Sequence, residues 1–196
     1  MINALYEPFP ESIIVEGEKY PILTDFREWL RFADLMRDKT VDSNDKVYML
    51  VNWFESPPKQ ITAEVVNALF NFYYARELDP DSDDEEDDED EPEEIVIRPP
   101  VFDWKIDSKF ILGDFWHYYG IDLIDIDYLH WWQFRCLFAA LSDDSQCQKR
   151  MAYRGLDLGS IKNDKERARI ARIQRSIAIP YECEDDMIGA AFGGLI

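Results

Sequence analysis

Apolar side chains recur every three to four positions through much of this chain, so its pattern is mainly that of amphipathic helices. Phe26, Trp29, Leu30, Ala33 and Met36 predict a first helix running to about Asp38, with Asp25 and Glu28 as its N-terminal signature. Asp42, Ser43 and Asn44 offer caps for a second, reaching about Phe54 with Val47, Leu50, Val51 and Phe54 on one face, before Pro57 and Pro58 stop it. Thr62 caps a third, which carries Val65, Val66, Leu69, Phe70, Phe72 and Tyr73 and ends before Arg76. Ahead of these helices, residues 12–15 and 19–23 flank Glu16, Gly17 and Glu18 in the manner of a hairpin. Pro21 confines the second strand to an edge.

The pattern breaks at residues 79–94, which hold acids, two prolines and a serine. With no aromatic or β-branched residue, such a stretch buries too little apolar surface to offset the entropy of ordering it, so it is expected to be a disordered linker. Ile95, Val96 and Ile97 form an isolated strand-like triplet, and Pro99 and Pro100 precede the next structure. Asp103 is expected to start a helix with Trp104, Ile111, Phe115 and Tyr118 along one stripe, stopping at Gly120. Asp127 is expected to cap another over 128–141, where Tyr128, Trp131, Phe134, Phe138 and Leu141 share a face and Leu129, Trp132 and Cys136 flank it. A short helix over 145–153, a loop over 155–159 and an amphipathic helix over 164–178 complete the folded part. On that last helix Ile170, Ile173 and Ile177 face inward, Lys165, Arg169, Arg172 and Arg175 face outward, and Pro180 ends it.

Composition changes this picture in two places. Twelve of the twenty-eight aromatic residues lie within 102–138, centred on the stretch 129–138, LHWWQFRCLF. A helix apolar around most of its circumference needs cover on most sides, and adjacent tryptophans point about 100° apart on a helix. At least one of Trp131 and Trp132 is therefore expected to reach a partner. The formal charge of −20 is dominated by the thirteen acids of 79–94; the remainder holds 28 acids against 21 bases, a charge of −7. Nucleic acid is thus a poor default partner. The one strongly basic region is 149–175, with nine bases (Lys149, Arg150, Arg154, Lys162, Lys165, Arg167, Arg169, Arg172, Arg175) against three acids. It reads as a solvated helix face, because no aromatics are interleaved to stack bases.

Candidate chemistry is sparse. His117 lies three residues after Asp114, and His130 three after Asp127, yet no Glu-x-x-His or His-Glu-x-x-His pattern accompanies them. Asp122, Asp125 and Asp127 lack the glycine and closing glutamate of a calcium loop. Phosphate-binding glycine loops and a nucleophile elbow are missing too, so neither an enzyme nor a cofactor is expected. Cys136, Cys147 and Cys183 have no paired spacing and read as reduced structural thiols, with Cys136 behaving as a small hydrophobe. No signal-peptide pattern and no membrane-spanning apolar run is present.

One resemblance bears on function. Leu129-His130-Trp131-Trp132-Gln133-Phe134-Arg135, then Tyr153-Arg154, Asp157-Leu158, Ser160-Ile161, Glu166-Arg167 and Pro180, resemble the gene-product-fifteen family of siphophages and prophages of Gram-positive bacteria. Tyr20-Pro21-Ile22-Leu23-Thr24-Asp25-Phe26-Arg27 is similar to that family's opening. The chain departs from it in the long acidic insertion and in Gly159, where a polar residue is expected. The resemblance implies a tail-assembly chaperone or assembly factor that binds a tape-measure protein and tail-tube subunits, with self-association or a companion chaperone possible. It carries no catalytic residues.

The resulting expectation is a mainly α-helical protein with a small N-terminal hairpin, in two helical subdomains (1–78 and 101–180) joined by the acidic linker 79–100 and followed by a flexible tail, 181–196. It is expected to act without catalysis in the cytoplasm of the bacterial host, with no small-molecule ligand, metal or membrane. Trp116, Trp131, Trp132, His130 and Arg135 are expected to meet the partner, and Lys165, Arg169 and Arg172 to orient it. The alternatives are a structural component of the virion tail and a nucleic-acid-binding regulator.

Overall fold

The computed structural model describes residues 2–78 and 100–180. The acidic-linker reading except for Pro100, the 95–97 triplet, the C-terminal tail and Cys183 lie outside the described residues. Within them stand seven α-helices and one two-stranded antiparallel hairpin, the expected mainly α architecture. The chain divides into two compact units. Among described residues, the first comprises 2–78 and 128–135, the second 100–127 and 136–180.

In the first unit the hairpin pairs β1 (Ser12–Val15) with β2 (Glu18–Pro21), Val15 opposite Glu18 and Ser12 opposite Pro21. Glu16 and Gly17 both have positive φ (51° and 83°), the two-residue turn whose twist matches the strands. Ile13 and Val15 are buried and β1 packs on the third helix, while Ile14 points to solvent. Asp25 caps α1 (Phe26–Arg37) by accepting from the Arg27 N–H at 3.0 Å, as expected. Its buried face is Phe26, Trp29, Phe32, Ala33 and Met36, so Phe32 takes the place foreseen for Leu30.

The second helix stops early. After α2 (Ser43–Met49) the chain tightens into a 3-10 turn at Leu50–Trp53, which buries Leu50 and Trp53 together with Phe54 and leaves Val47 and Val51 half-exposed. The backbone beyond it pairs with the end of the hairpin, Leu23 N–H donating to Trp53 O and Glu55 N–H to Pro21 O. Buried Lys46 extends its ammonium to Met36 O at 2.7 Å, placing a cation at the negative C-terminal end of α1. Thr62 caps α3 (Ala63–Tyr74) as expected, and Ala75 closes it in the left-handed conformation (φ 54°).

In the second unit α4 spans Ser108–Tyr119 rather than starting at Asp103. Asp103 spends its carboxylate on the Lys105 and Ile106 N–H groups, which makes a tight turn that holds the chain out of the helix until Ser108. Gly120 (φ 65°) ends α4 as foreseen, its N–H donating to Trp116 O and that of Ile121 to Phe115 O. Then α6 (Gln146–Gly155), a 3-10 turn (Leu158–Ser160) and α7 (Asp164–Ile177) follow, with α6 packed between α4 and α7. Asn163 caps α7, whose inward residues are buried Ile170 with half-buried Ile173 and Ile177.

The largest departure concerns α5. It spans Trp131–Ala139, not 128–141, and the residues through Arg135 belong to the first unit while those from Cys136 belong to the second. Residues 128–130 are extended because the α1 entry captures their backbone: Leu129 N–H donates to Asp25 Oδ2, Phe26 N–H to Leu129 O, and Trp131 N–H to Thr24 O at 2.7 Å. Asp127 therefore does not cap this helix. His130 does, its Nδ1 accepting the Trp132 N–H at 3.0 Å.

Candidate functional site

Both tryptophans at the start of α5 are core residues, with 0% and 1% exposure for Trp131 and Trp132. The first packs parallel to Tyr73 at 5.5 Å and to Phe134 at 5.7 Å, and its indole N–H donates to Tyr73 O. The second meets Phe72 at 5.2 Å and Phe9 at 6.0 Å, and its indole N–H donates to Phe72 O. Ala75 sits in a left-handed conformation, so α3 stops there; the indoles satisfy carbonyls of its final turn. Arg135 lies over Trp131 and donates to the same Tyr73 oxygen. His130 is 6% exposed between Phe9 and Phe72. The expectation that Trp131 or Trp132 is left over for a partner is thus corrected: the adjacent rings diverge, but α3 and the N-terminal arm cover both.

Trp116 behaves in the opposite way. It is 61% exposed on α4, followed by His117, stacked edge-on to Tyr118, which is 37% exposed. Beside these residues a cleft of about 390 Å³ runs along α4, lined by Lys109, Phe110, Gly113, His117 and Tyr118, with Asp114, Asp144 and Gln146 closing it. The Arg150 guanidinium lies 3.7 Å from the centre of the Phe110 ring. The floor is rigid because Asp114, 5% exposed, accepts from the Gln146 and Cys147 N–H groups at 3.1 and 2.8 Å, a carboxylate at the positive end of α6. Burial, with Asp114 beside it, pushes the Cys147 thiol far above the ordinary thiol range, so it is no nucleophile. Cys136, read as a small hydrophobe among aromatics, is exposed instead.

Lys165, Arg169 and Arg172 are all exposed on α7, as expected. Two neighbours balance their own charge locally, Arg167 pairing with Asp164 and Arg169 with Glu166. Arg154, counted by sequence among the solvent-facing bases, is a correction. Its guanidinium grips Asp107 with two bonds of 2.6 and 2.9 Å, donates to Ile177 O and Val101 O, and is buried along with its partner. Among the described residues no cluster of three or more His, Cys, Asp or Glu side chains is placed to hold a metal ion, and no helix is long and apolar enough to cross a membrane.

A family model described as Bacteriophage Gp15 protein matches residues 5–179. The chain belongs to that family. No curated protein and no solved structure gives a significant match. In this Gp15-family protein two of the stretches that carry the resemblance meet: Thr24, Asp25 and Phe26 bond to Leu129 and Trp131. Arg154, from another such stretch, ties together residue 101, the approach to α4, and the end of α7. These motif residues build the fold, and the exposed aromatic face of α4 lies apart from them in sequence. Phe110, Lys109 and Gln146 were not singled out by sequence. Asp114 and His117, read as a pair at helical spacing, and Trp116 with Tyr118, read with the apolar face of this helix, were the residues the sequence did mark there.

Proposed function

We propose that this Gp15-family protein is a non-enzymatic assembly factor that acts as a chaperone in tail assembly within the host cytoplasm. In this reading its partners are the tape-measure protein and tail-tube subunits. Support comes from the family match over 5–179 together with one structural observation, the solvent-facing Trp116 and Tyr118 beside a cleft lined in part by Phe110. A tryptophan more than half exposed on a helix is costly unless something covers it at work, and tryptophan and tyrosine dominate binding energy where they do become covered. A helical client with an apolar stripe fits such a face. Lys165, Arg169 and Arg172 supply a separate charged face that steers and orients an acidic client.

Co-expression with the tape-measure protein followed by pull-down tests this. Trp116→Ala combined with Tyr118→Ala is expected to reduce capture at least tenfold while leaving the fold intact. Undiminished capture would remove the α4 face from the reading. Mass spectrometry of purified particles separates a chaperone, which leaves before the tail is complete, from a structural virion component, which stays.

A further inference from the structure

We infer that His130 is a proton-operated latch: neutral, it fastens the start of α5 to the N-terminal arm of the first unit, and protonated, it lets go of the start of α5. The ring makes two hydrogen bonds of opposite sense. Nδ1 accepts from the Trp132 N–H at 3.0 Å, and Nε2 lies 3.1 Å from Pro10 O. A backbone N–H can only donate and a carbonyl can only accept, so the two together require the neutral tautomer with its proton on Nε2. Imidazolium keeps the Pro10 bond but turns a second N–H against that of Trp132. It also sets a positive charge at the positive end of α5.

The surroundings offer a charged ring little relief. Phe9 stacks on it at 5.1 Å, Phe72 of α3 meets it at 5.8 Å and Trp132 of α5 at 6.3 Å. Among charged groups on the elements packed there, Glu11 of the arm favours protonation. On the α1 side the Asp25 carboxylate is occupied by the Arg27 guanidinium and by the N–H groups of Arg27 and Leu129. Burial outweighs both Glu11 and the Pro10 bond, holding the ring below its ordinary pKa of 6.5. The sign follows: stability from the neutral ring is complete above pH 6.5 and is lost as pH falls through the lower value in the fold. Release removes the cap of α5 and parts its first turn from the ring, which stays bonded to Pro10 O, and Trp132 is uncovered.

The chain has two histidines, and His117 is exposed on α4, so the assignment can be isolated. Hydrogen exchange of the full chain, corrected for intrinsic rates, is compared between about pH 7.5 and about pH 5.5 for wild type, His130→Asn, His130→Gln and His117→Asn. Asn can retain the Trp132 bond and Gln the Pro10 bond, and neither titrates. In wild type and His117→Asn, exchange at the Trp132 amide and neighbouring residues is expected to rise by up to about tenfold per pH unit as pH falls from 6.5 toward the folded pKa, and to level off below it. Both His130 variants should flatten that rise. Wild-type pH dependence persisting in either folded His130 variant overturns the inference. So does an NMR titration of wild type in which the ring protonates at or above its ordinary value while the Trp132 amide stays protected, a measurement that stands if neither variant folds.

Discussion

In the first unit Trp29, Trp53, Trp131 and Trp132 are all buried, and each sends its indole N–H to a backbone carbonyl, those of Leu23, Glu28, Tyr73 and Phe72. The second unit buries no tryptophan; its deepest polar groups are Asp107, Asp114 and Ser145, which organise helix ends and an arginine. Trp131 and Trp132 on one side and Asp114 and Ser145 on the other meet one problem, since backbone groups where helices start and stop lack partners within the helix. Rings solve it while adding roughly 4–6 kcal/mol of apolar burial apiece, an upper figure that chain entropy offsets. Carboxylates solve it without adding apolar mass, so removing a counter-charge there leaves a buried ion. The first unit should therefore be sensitive to lost volume, and the second to unbalanced charge.

The strongest test of that contrast is Trp131→Ala with Trp132→Ala. Each change is expected to cost about 3–5 kcal/mol, and together they should abolish cooperative unfolding of the first unit in urea. Survival of that transition would end the claim that these rings are its core. Next comes Arg154→Ala, which strands Asp107 and is expected to cost about 3–5 kcal/mol, with lost amide protection concentrated in α4, α6 and α7. Adding Asp107→Leu should recover much of that loss, and failure to recover would mean the arginine matters for packing rather than for charge. Trp132→Phe retains most of the ring but removes the indole donor to Phe72 O, which keeps its bond from the Ala75 N–H, so about 0.5–1.5 kcal/mol should go, seen as a lower urea midpoint at unchanged slope. The smallest effect belongs to Trp116→Ala, within about 0.5 kcal/mol by the same measurement, because that ring is largely in water.

Local rules were readable wherever a few adjacent residues decide the outcome. Asp25, Asp42 and Thr62 cap the helices assigned to them, Gly120 stops α4, and Gly17 turns the hairpin. The misreadings share a different cause, a competing partner far along the chain or a second use for a nearby side chain. Asp103 bonded into its own turn and delayed α4. Thr24 and Asp25 captured the backbone of Leu129 and Trp131, moving the start of α5 past Asp127. The aromatic density of 129–138 identified a stretch that something must cover, but the covering surface was the chain's own α3.

What the sequence by itself determined is the helical period, the caps and stops, the hairpin, the family, and the fact that the aromatic stretch needs a neighbour, because each follows from residue type and short-range spacing. What only the tertiary structure decided is which tryptophan stays outside and which histidine is locked. Trp131, Trp132 and Trp116 are chemically alike, and their fates differ because α3 and the N-terminal arm meet the first two while solvent meets the third. The same holds for His130 and His117: opposing hydrogen bonds from Trp132 and Pro10, distant in sequence from each other, make one of them a latch and leave the other on the surface.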